Sequence, residues 1–207
     1  MNQTELNAQA YDHIVREWAA FRSGCRVNAC IQAFCTLLPA GARILDIGCG
    51  TGYPIDDYLN QNGFSIVGID ISENMIREAR KLELAHAAFE TADFLRFHSA
   101  QPFDALIAFD SLWHIEEARQ ELIYPQAASL LKEDGYFLFT HGKKRGTVRG
   151  KMYAEEFVYS ALDASDMKRL LRDNGFEIVS WQEDYEEKTT GSRDLLAMAR
   201  KRAARER

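Results

Sequence analysis

The stretch Ile44-Leu45-Asp46-Ile47-Gly48-Cys49-Gly50-Thr51-Gly52 constrains the fold of this chain more than any other. Its apolar start reads as a short buried strand, and its alternating glycines as the turn that ends the strand. Glycine lets a backbone bend sharply and lets a ligand lie against it where a side chain would intrude. A second apolar run, Ser65-Ile66-Val67-Gly68-Ile69-Asp70, ends in a carboxylate. A glycine turn after one strand and an acid closing the next describe a site for a nucleoside-bearing cofactor.

Helices alternate with apolar strands along most of the chain. Tyr11, Ile14, Val15 and Trp18 repeat at helical spacing in a helix expected over 8–22, followed by a second over 27–38. Strands are expected at 43–47, 65–69, 87–90, 103–109 and 136–140. Helices are expected between them at 54–61, at 72–83 with Ser72 as N-cap, and at 118–131, broken near Tyr124 because Pro125 follows. A basic, glycine-rich loop is expected over 142–151. A helix over 164–173 then ends at Asn174-Gly175, and an antiparallel pair, 176–181 and 195–199, closes the chain. This order predicts an α/β, doubly wound, Rossmann-like sheet of seven strands. It is mostly parallel with the last strand antiparallel, and helices cover both faces.

The net charge is −6, so the chain as a whole carries no signature for nucleic acid. No run approaches the ~20 apolar residues of a membrane helix, and Met1-Asn2-Gln3-Thr4-Glu5-Leu6 lacks the apolar core of a signal peptide. The expected setting is the cytoplasm, with no membrane or nucleic-acid partner, as a monomer or homodimer. Cys25, Cys30 and Cys35 are five apart, which on a helix turns each by roughly 140° from the last, so they share no face. They read as small buried residues rather than as a metal or redox site. The basic end, Arg200 to Arg207, reads as a solvated terminus.

The choice of cofactor follows from spacing and charge. The nicotinamide fingerprint needs one more residue between its last two glycines than Gly48-x-Gly50-x-Gly52 provides. Asp46, two positions before the first glycine, would repel a pyrophosphate. It suits a ligand with a positive group near the turn, and S-adenosylmethionine carries an ammonium and a sulfonium and no phosphate.

Leu45 to Gly52 resembles the first motif of the class I S-adenosylmethionine-dependent methyltransferases. The resemblance runs in detail from Arg43 to Asp110, and more loosely through Asp134-Gly135-Tyr136-Phe137-Leu138 and Asn174-Gly175-Phe176-Glu177. It implies methyl transfer with S-adenosylhomocysteine as the product. Asp46 would orient the ammonium, and Gly48, Cys49, Gly50 and Gly52 would let the backbone approach the methionine carboxylate and ribose. Asp70 would take both ribose hydroxyls, since a carboxylate can accept one donor on each oxygen. Ile71 would lie on the adenine. Ala92, Asp93 and Phe94 resemble the adenine-end motif, with Asp93 accepting from the exocyclic amine. Phe109 and Asp110 would line the methionine end.

The resemblance also makes 1–40 a helical lid, 41–141 the cofactor-binding core and 142–207 a loop, helix and strand pair of a single domain. Tyr11 and Trp18 would close over the cofactor, and Arg22 would meet its carboxylate; the first two are equally plain packing residues.

On the acceptor side, Asp110-Ser111-Leu112-Trp113 stands where enzymes that methylate a base or amide nitrogen carry an Asn/Asp-Pro-Pro-Tyr-type motif. The expected acceptor is therefore a small molecule. His114 faces the site by resemblance and is the candidate base, with His141 a second. Lys143, Lys144, Arg145, Arg149 and Lys151 put five positive charges on one loop, which either steers an anionic acceptor or is simply solvated. Met152, Tyr153, Phe157 and Tyr159 would wall an acceptor pocket or belong to the core. A cofactor-binding subunit without catalysis remains the alternative reading.

Overall fold

The computed structural model describes residues 2–187 and 191–203. The end of the basic tail, Arg205 and Arg207 included, lies outside the described residues. The helices are α1 (Gln3–Ser23), α2 (Ala29–Cys35), α3 (Ile55–Gln61), α4 (Glu73–Arg80), α5 (Ile123–Leu130) and α6 (Ala164–Asp173). The strands are β1 (Arg43–Ile47), β2 (Ser65–Asp70), β3 (Ala87–Thr91), β4 (Phe103–Ala108) and β5 (Leu131–His141), then β6 (Gly146–Met152), β7 (Glu155–Ala161), β8 (Phe176–Glu187) and β9 (Gly191–Lys201).

A seven-stranded sheet runs β3-β2-β1-β4-β5-β9-β8, and β9 alone is antiparallel to its neighbours. Alternate residues of each central strand enter opposite layers. Leu45 and Ile47 of β1, with Leu106 and Ala108 of β4, pack with α5 and α6. Ile44, Ala105 and Ile107 pack on the other face with Ile31 and Phe34 of α2 and Leu59 of α3. Burial on both faces is why these strands read as unbroken apolar runs. The strand order reverses between β1 and β4, so a crevice forms beyond their carboxyl ends.

Local chemistry sets most boundaries. Asn2 caps α1 through a reciprocal box with Glu5. Ser72 caps α4 by accepting from Met75 N at 3.1 Å. The expected 118–131 helix is a 3-10 stretch, Glu117–Leu122, followed by α5. The break precedes Tyr124 because Pro125 sits in the first turn of α5, where a missing N–H leaves no bond unmade.

The expected loop over 142–151 is largely strand. β6 pairs antiparallel with β7 in a hairpin separate from the main sheet. One face of β6 is open to solvent, so its charged residues conceal a strand pattern. α1 lies against this hairpin: Phe157 is fully buried with Ala10 and Ile14, and Met152 packs beside them. Phe157 is therefore core, while Tyr153 is 52% exposed. Among the described residues no helix is long and apolar enough to cross a membrane.

Candidate active site

A cavity lies beyond the ends of β1, β2 and β4, roofed by α1. It is lined by Tyr11, Trp18, Arg22, Asp46, Gly48, Cys49, Gly50, Asp70, Ile71, Ala92, Asp93, Phe94, Phe109, Asp110 and His114. Of the residues expected to hold the cofactor, Gly52 alone is outside the lining, and His141, the second candidate base, also lies outside it. A Cβ on Gly52 would stand 3.1 Å from Leu82 Cδ1 and 3.2 Å from Phe89 Cζ, so it serves the packing of the turn. The turn is tied to β2 by Gly48 N and Cys49 N, which both donate to Ile69 O at 2.8 and 3.0 Å. Gly48 has φ +76°, and a Cβ there would meet Ser111 Cβ at 2.4 Å. Ser111 itself donates to Ile47 O at 2.6 Å, which locks the segment after β4 onto the end of β1.

Asp70 is held at the end of β2 by two backbone donors. Gly50 N reaches Oδ2 at 3.0 Å and Ser72 N reaches Oδ1 at 2.8 Å. Each oxygen keeps a further acceptor position. Burial pushes its carboxyl up to about 6, against the pull of those backbone bonds.

Asp46 is 2% exposed and Asp56, on the first turn of α3, is fully buried beside it. Both Asp56 oxygens lack an N–H or hydroxyl donor among the described residues. Burial, and then the second carboxyl, hold Asp56 well above the ordinary carboxylate range. The neutral form of Asp56 is therefore favoured beside Asp46. Asp56 went unrecognised in the sequence because an acid in the first turn of a helix reads as a dipole partner facing water.

His114 is fixed from both sides. Asn7 Oδ1 accepts from Val158 N at 2.8 Å, which identifies the other amide atom as Nδ2. Nδ2 donates to Val158 O at 2.7 Å and meets His114 Nδ1 at 3.0 Å. Nδ1 is thus the acceptor and Nε2 carries the hydrogen, which points to the Tyr11 hydroxyl at 3.1 Å. Burial pushes His114 down to about 4, so the ring is neutral at pH 7. Tyr11 accepts from it and keeps its own O–H as a free donor. Asn7 and Val158 gave no sequence signal, because they meet His114 only when α1 and β7 pack together.

Asp110 takes a left-handed backbone, φ +61°, at the end of β4. Arg193 of β9 grips it with Nε on Oδ1 at 3.0 Å and Nη2 on Oδ2 at 2.6 Å. Thr140 accepts from Asp110 N at 2.7 Å. Asp93 lines the cavity but already caps Leu95 N at 3.0 Å and stands 3.4 Å from Arg119 Nη2. Arg22 donates through Nε to Tyr53 O at 3.2 Å and leaves both terminal nitrogens without a hydrogen bond among the described residues.

The chain's relatives carry the same architecture. The profile of a methyltransferase domain family matches residues 17–181. A phosphoethanolamine N-methyltransferase of Arabidopsis thaliana is 31% identical over 154 residues, which is 69% of this chain and 30% of that protein. An O-methyltransferase of Penicillium expansum is 31% identical over 156 residues, 69% of this chain and 55% of that protein. The matched stretch thus spans about a third to a half of these relatives' length. The solved structure of magnesium protoporphyrin IX methyltransferase from Synechocystis, with bound S-adenosylhomocysteine, has the same fold: TM-score 0.73 at 19% identity, over 97% of this chain and 100% of that one. With the glycine turn, the acid-ended second strand and the sheet order in place, this chain belongs to the class I S-adenosylmethionine-dependent methyltransferase family.

Proposed function

We propose that the protein transfers a methyl group from S-adenosylmethionine to a small-molecule acceptor. The observation that carries this reading is Asp70: a carboxylate pinned by Gly50 N and Ser72 N, with one acceptor position spare on each oxygen at the cavity wall. A vicinal ribose diol needs that donor-free pair. When bound, the cofactor supplies a methyl carbon activated by its sulfonium.

The remaining residues fit the cofactor. Asp46 offers a buried negative charge to the ammonium, beside an Asp56 carboxyl that burial keeps neutral. Arg22 has two spare donors for a carboxylate. Gly50 keeps the backbone bare beneath Trp18, whose Nε1 stands 3.5 Å from where a Cβ would be. Asp93 and Phe94 stand at the adenine end, and α1 serves as the lid.

His114 acts on Tyr11 in this reading. With Nδ1 engaged by Asn7 and Nε2 protonated, it has no lone pair free to take a proton from an acceptor. It orients Tyr11, whose hydroxyl hydrogen is presented to the cavity. In-line placement in a closed site then does most of the work. Acceptors that are anionic or otherwise nucleophilic without a base are favoured.

Calorimetric titration with S-adenosylmethionine and S-adenosylhomocysteine tests the reading. Both bind the wild type, and Asp70→Ala weakens binding by at least about tenfold, as expected for the loss of hydrogen bonds to a charged group. Failure of both ligands to bind the wild type would remove the methyltransferase reading.

A further inference from the structure

A second cavity of about 600 Å³ adjoins the first across Asp110, which lines both. That volume lies in the range of small-molecule sites. Trp113, after β4, and Tyr159 of β7 give it aromatic walls. Both rings flank His114, with centroids 6.3 and 5.3 Å from its own. Gly150 makes room for one of them, since a Cβ there would stand 3.1 Å from Tyr159 Cε2. Neither the Trp113 indole N–H nor the Tyr159 hydroxyl has a hydrogen-bond partner among the described residues.

Most of the positive charge expected to steer an anion is spent locally. Lys143 pairs with Asp184, Arg145 with Glu117 and Asp166, and Arg149 with Glu156. Asp194, at the cavity rim, is within Coulombic reach of Lys143. Lys144 lines the cavity and has no ion pair among the described residues. His141, 1% exposed, lines it too. Its Nδ1 lies 3.1 Å from Gly142 O, and a carbonyl can only accept, so Nδ1 carries the hydrogen. Nε2 is then a bare lone pair, buried and without a partner among the described residues. An orphaned buried acceptor is costly unless a ligand satisfies it.

We propose that this cavity is the methyl-acceptor subsite and that it takes a planar aromatic acid. The ring lies against Trp113 and Tyr159, the ionised acid meets Lys144, and a ring hydroxyl or amine donates to His141 Nε2. The inference rests on the methyltransferase reading above and names its substrate class.

The test is binding, by saturation-transfer NMR and calorimetry, in the presence of S-adenosylhomocysteine. The probes are hydroxybenzoates and hydroxynaphthoates, their neutral primary amides, their unhydroxylated parent acids, and the ring-saturated hydroxycyclohexanecarboxylates. The hydroxyaryl acids are expected to bind. The amides bind roughly two- to fivefold more weakly, the size of one exposed ion pair, and the saturated acids more weakly again. Lys144→Ala, an exposed change that leaves the core intact, abolishes the preference for acid over amide. His141→Phe abolishes the preference for the hydroxylated ring. The inference is overturned if acids and amides bind alike, if Lys144→Ala keeps their difference, or if no probe binds while S-adenosylhomocysteine does. Failure of S-adenosylhomocysteine itself to bind would instead strike the functional reading, and this inference with it.

Discussion

Arg193 clamps Asp110 in a two-pronged ion pair, 3.0 and 2.6 Å, across 83 residues of sequence. The pair fixes the wall shared by the two cavities. The Arg193 side chain is 8% exposed and that of Asp110 28%, so water screens the pair only in part. Arg193→Leu leaves a half-buried carboxylate with Thr140 as its remaining side-chain donor. A loss of about 2–3 kcal/mol follows, below the full figure for a buried pair. Urea denaturation reads it directly. Arg193→Lys recovers less than half, because a single ammonium cannot reproduce the fork.

The buried pair Asp46 and Asp56 gives a prediction of definite sign. The folded state holds Asp56 well above 3.8, by burial first and the Asp46 charge second. A raised carboxyl stabilises the fold fully below its unfolded value. That contribution is lost as pH rises through the folded value, and above it the fold carries a penalty. Asp56→Asn removes the penalty, so thermal stability at pH 8 rises by about 1–2 kcal/mol relative to wild type. No gain at pH 8 would contradict a raised Asp56 carboxyl.

His114 titrates the other way. Its folded value is about 4 against 6.5 ordinarily, through burial. The unfolded chain therefore binds this proton first on acidification. Stability from the neutral ring is full above pH 6.5 and is lost as pH falls toward 4. Replacing His114 with Gln flattens the acid limb of a stability profile between pH 7 and 5. Ring nitrogen-15 shifts of wild type at pH 7 are expected to show hydrogen on Nε2 and a bare Nδ1. A bare Nε2 would refute the Asn7 assignment.

Two glycines with similar backbones separate conformational strain from crowding. Gly41 has φ +71° and no atom within 4 Å of where a Cβ would stand, while Gly48 has φ +76° and Ser111 Cβ 2.4 Å from that point. Gly41→Ala costs about 1 kcal/mol, from the left-handed backbone alone. Gly48→Ala adds overpacking and costs about 2–4 kcal/mol. It also displaces Ser111 from Ile47, so cofactor affinity falls with stability. Equal losses at the two sites would argue against the close approach of the turn to the segment after β4.

The sequence by itself determined the sheet, the order of its elements and the cofactor turn. These are written in neighbouring residues: an apolar run at 43–47, glycines at the positive-φ positions 48 and 50, an acid at 70, a serine cap at 72. Short-range sterics and burial on both faces leave such a string few other conformations. The hairpin over 146–161 was not legible, because its outer face is charged and its partner for burial is α1, far away in sequence. Only the tertiary structure decided that Asn7 sets the tautomer of His114, that Asp56 is buried beside Asp46, and that Arg193 clamps Asp110. Each is a polar contact made in a desolvated setting between distant segments. Its sign and strength come from what burial removes, and no local pattern of residues records that.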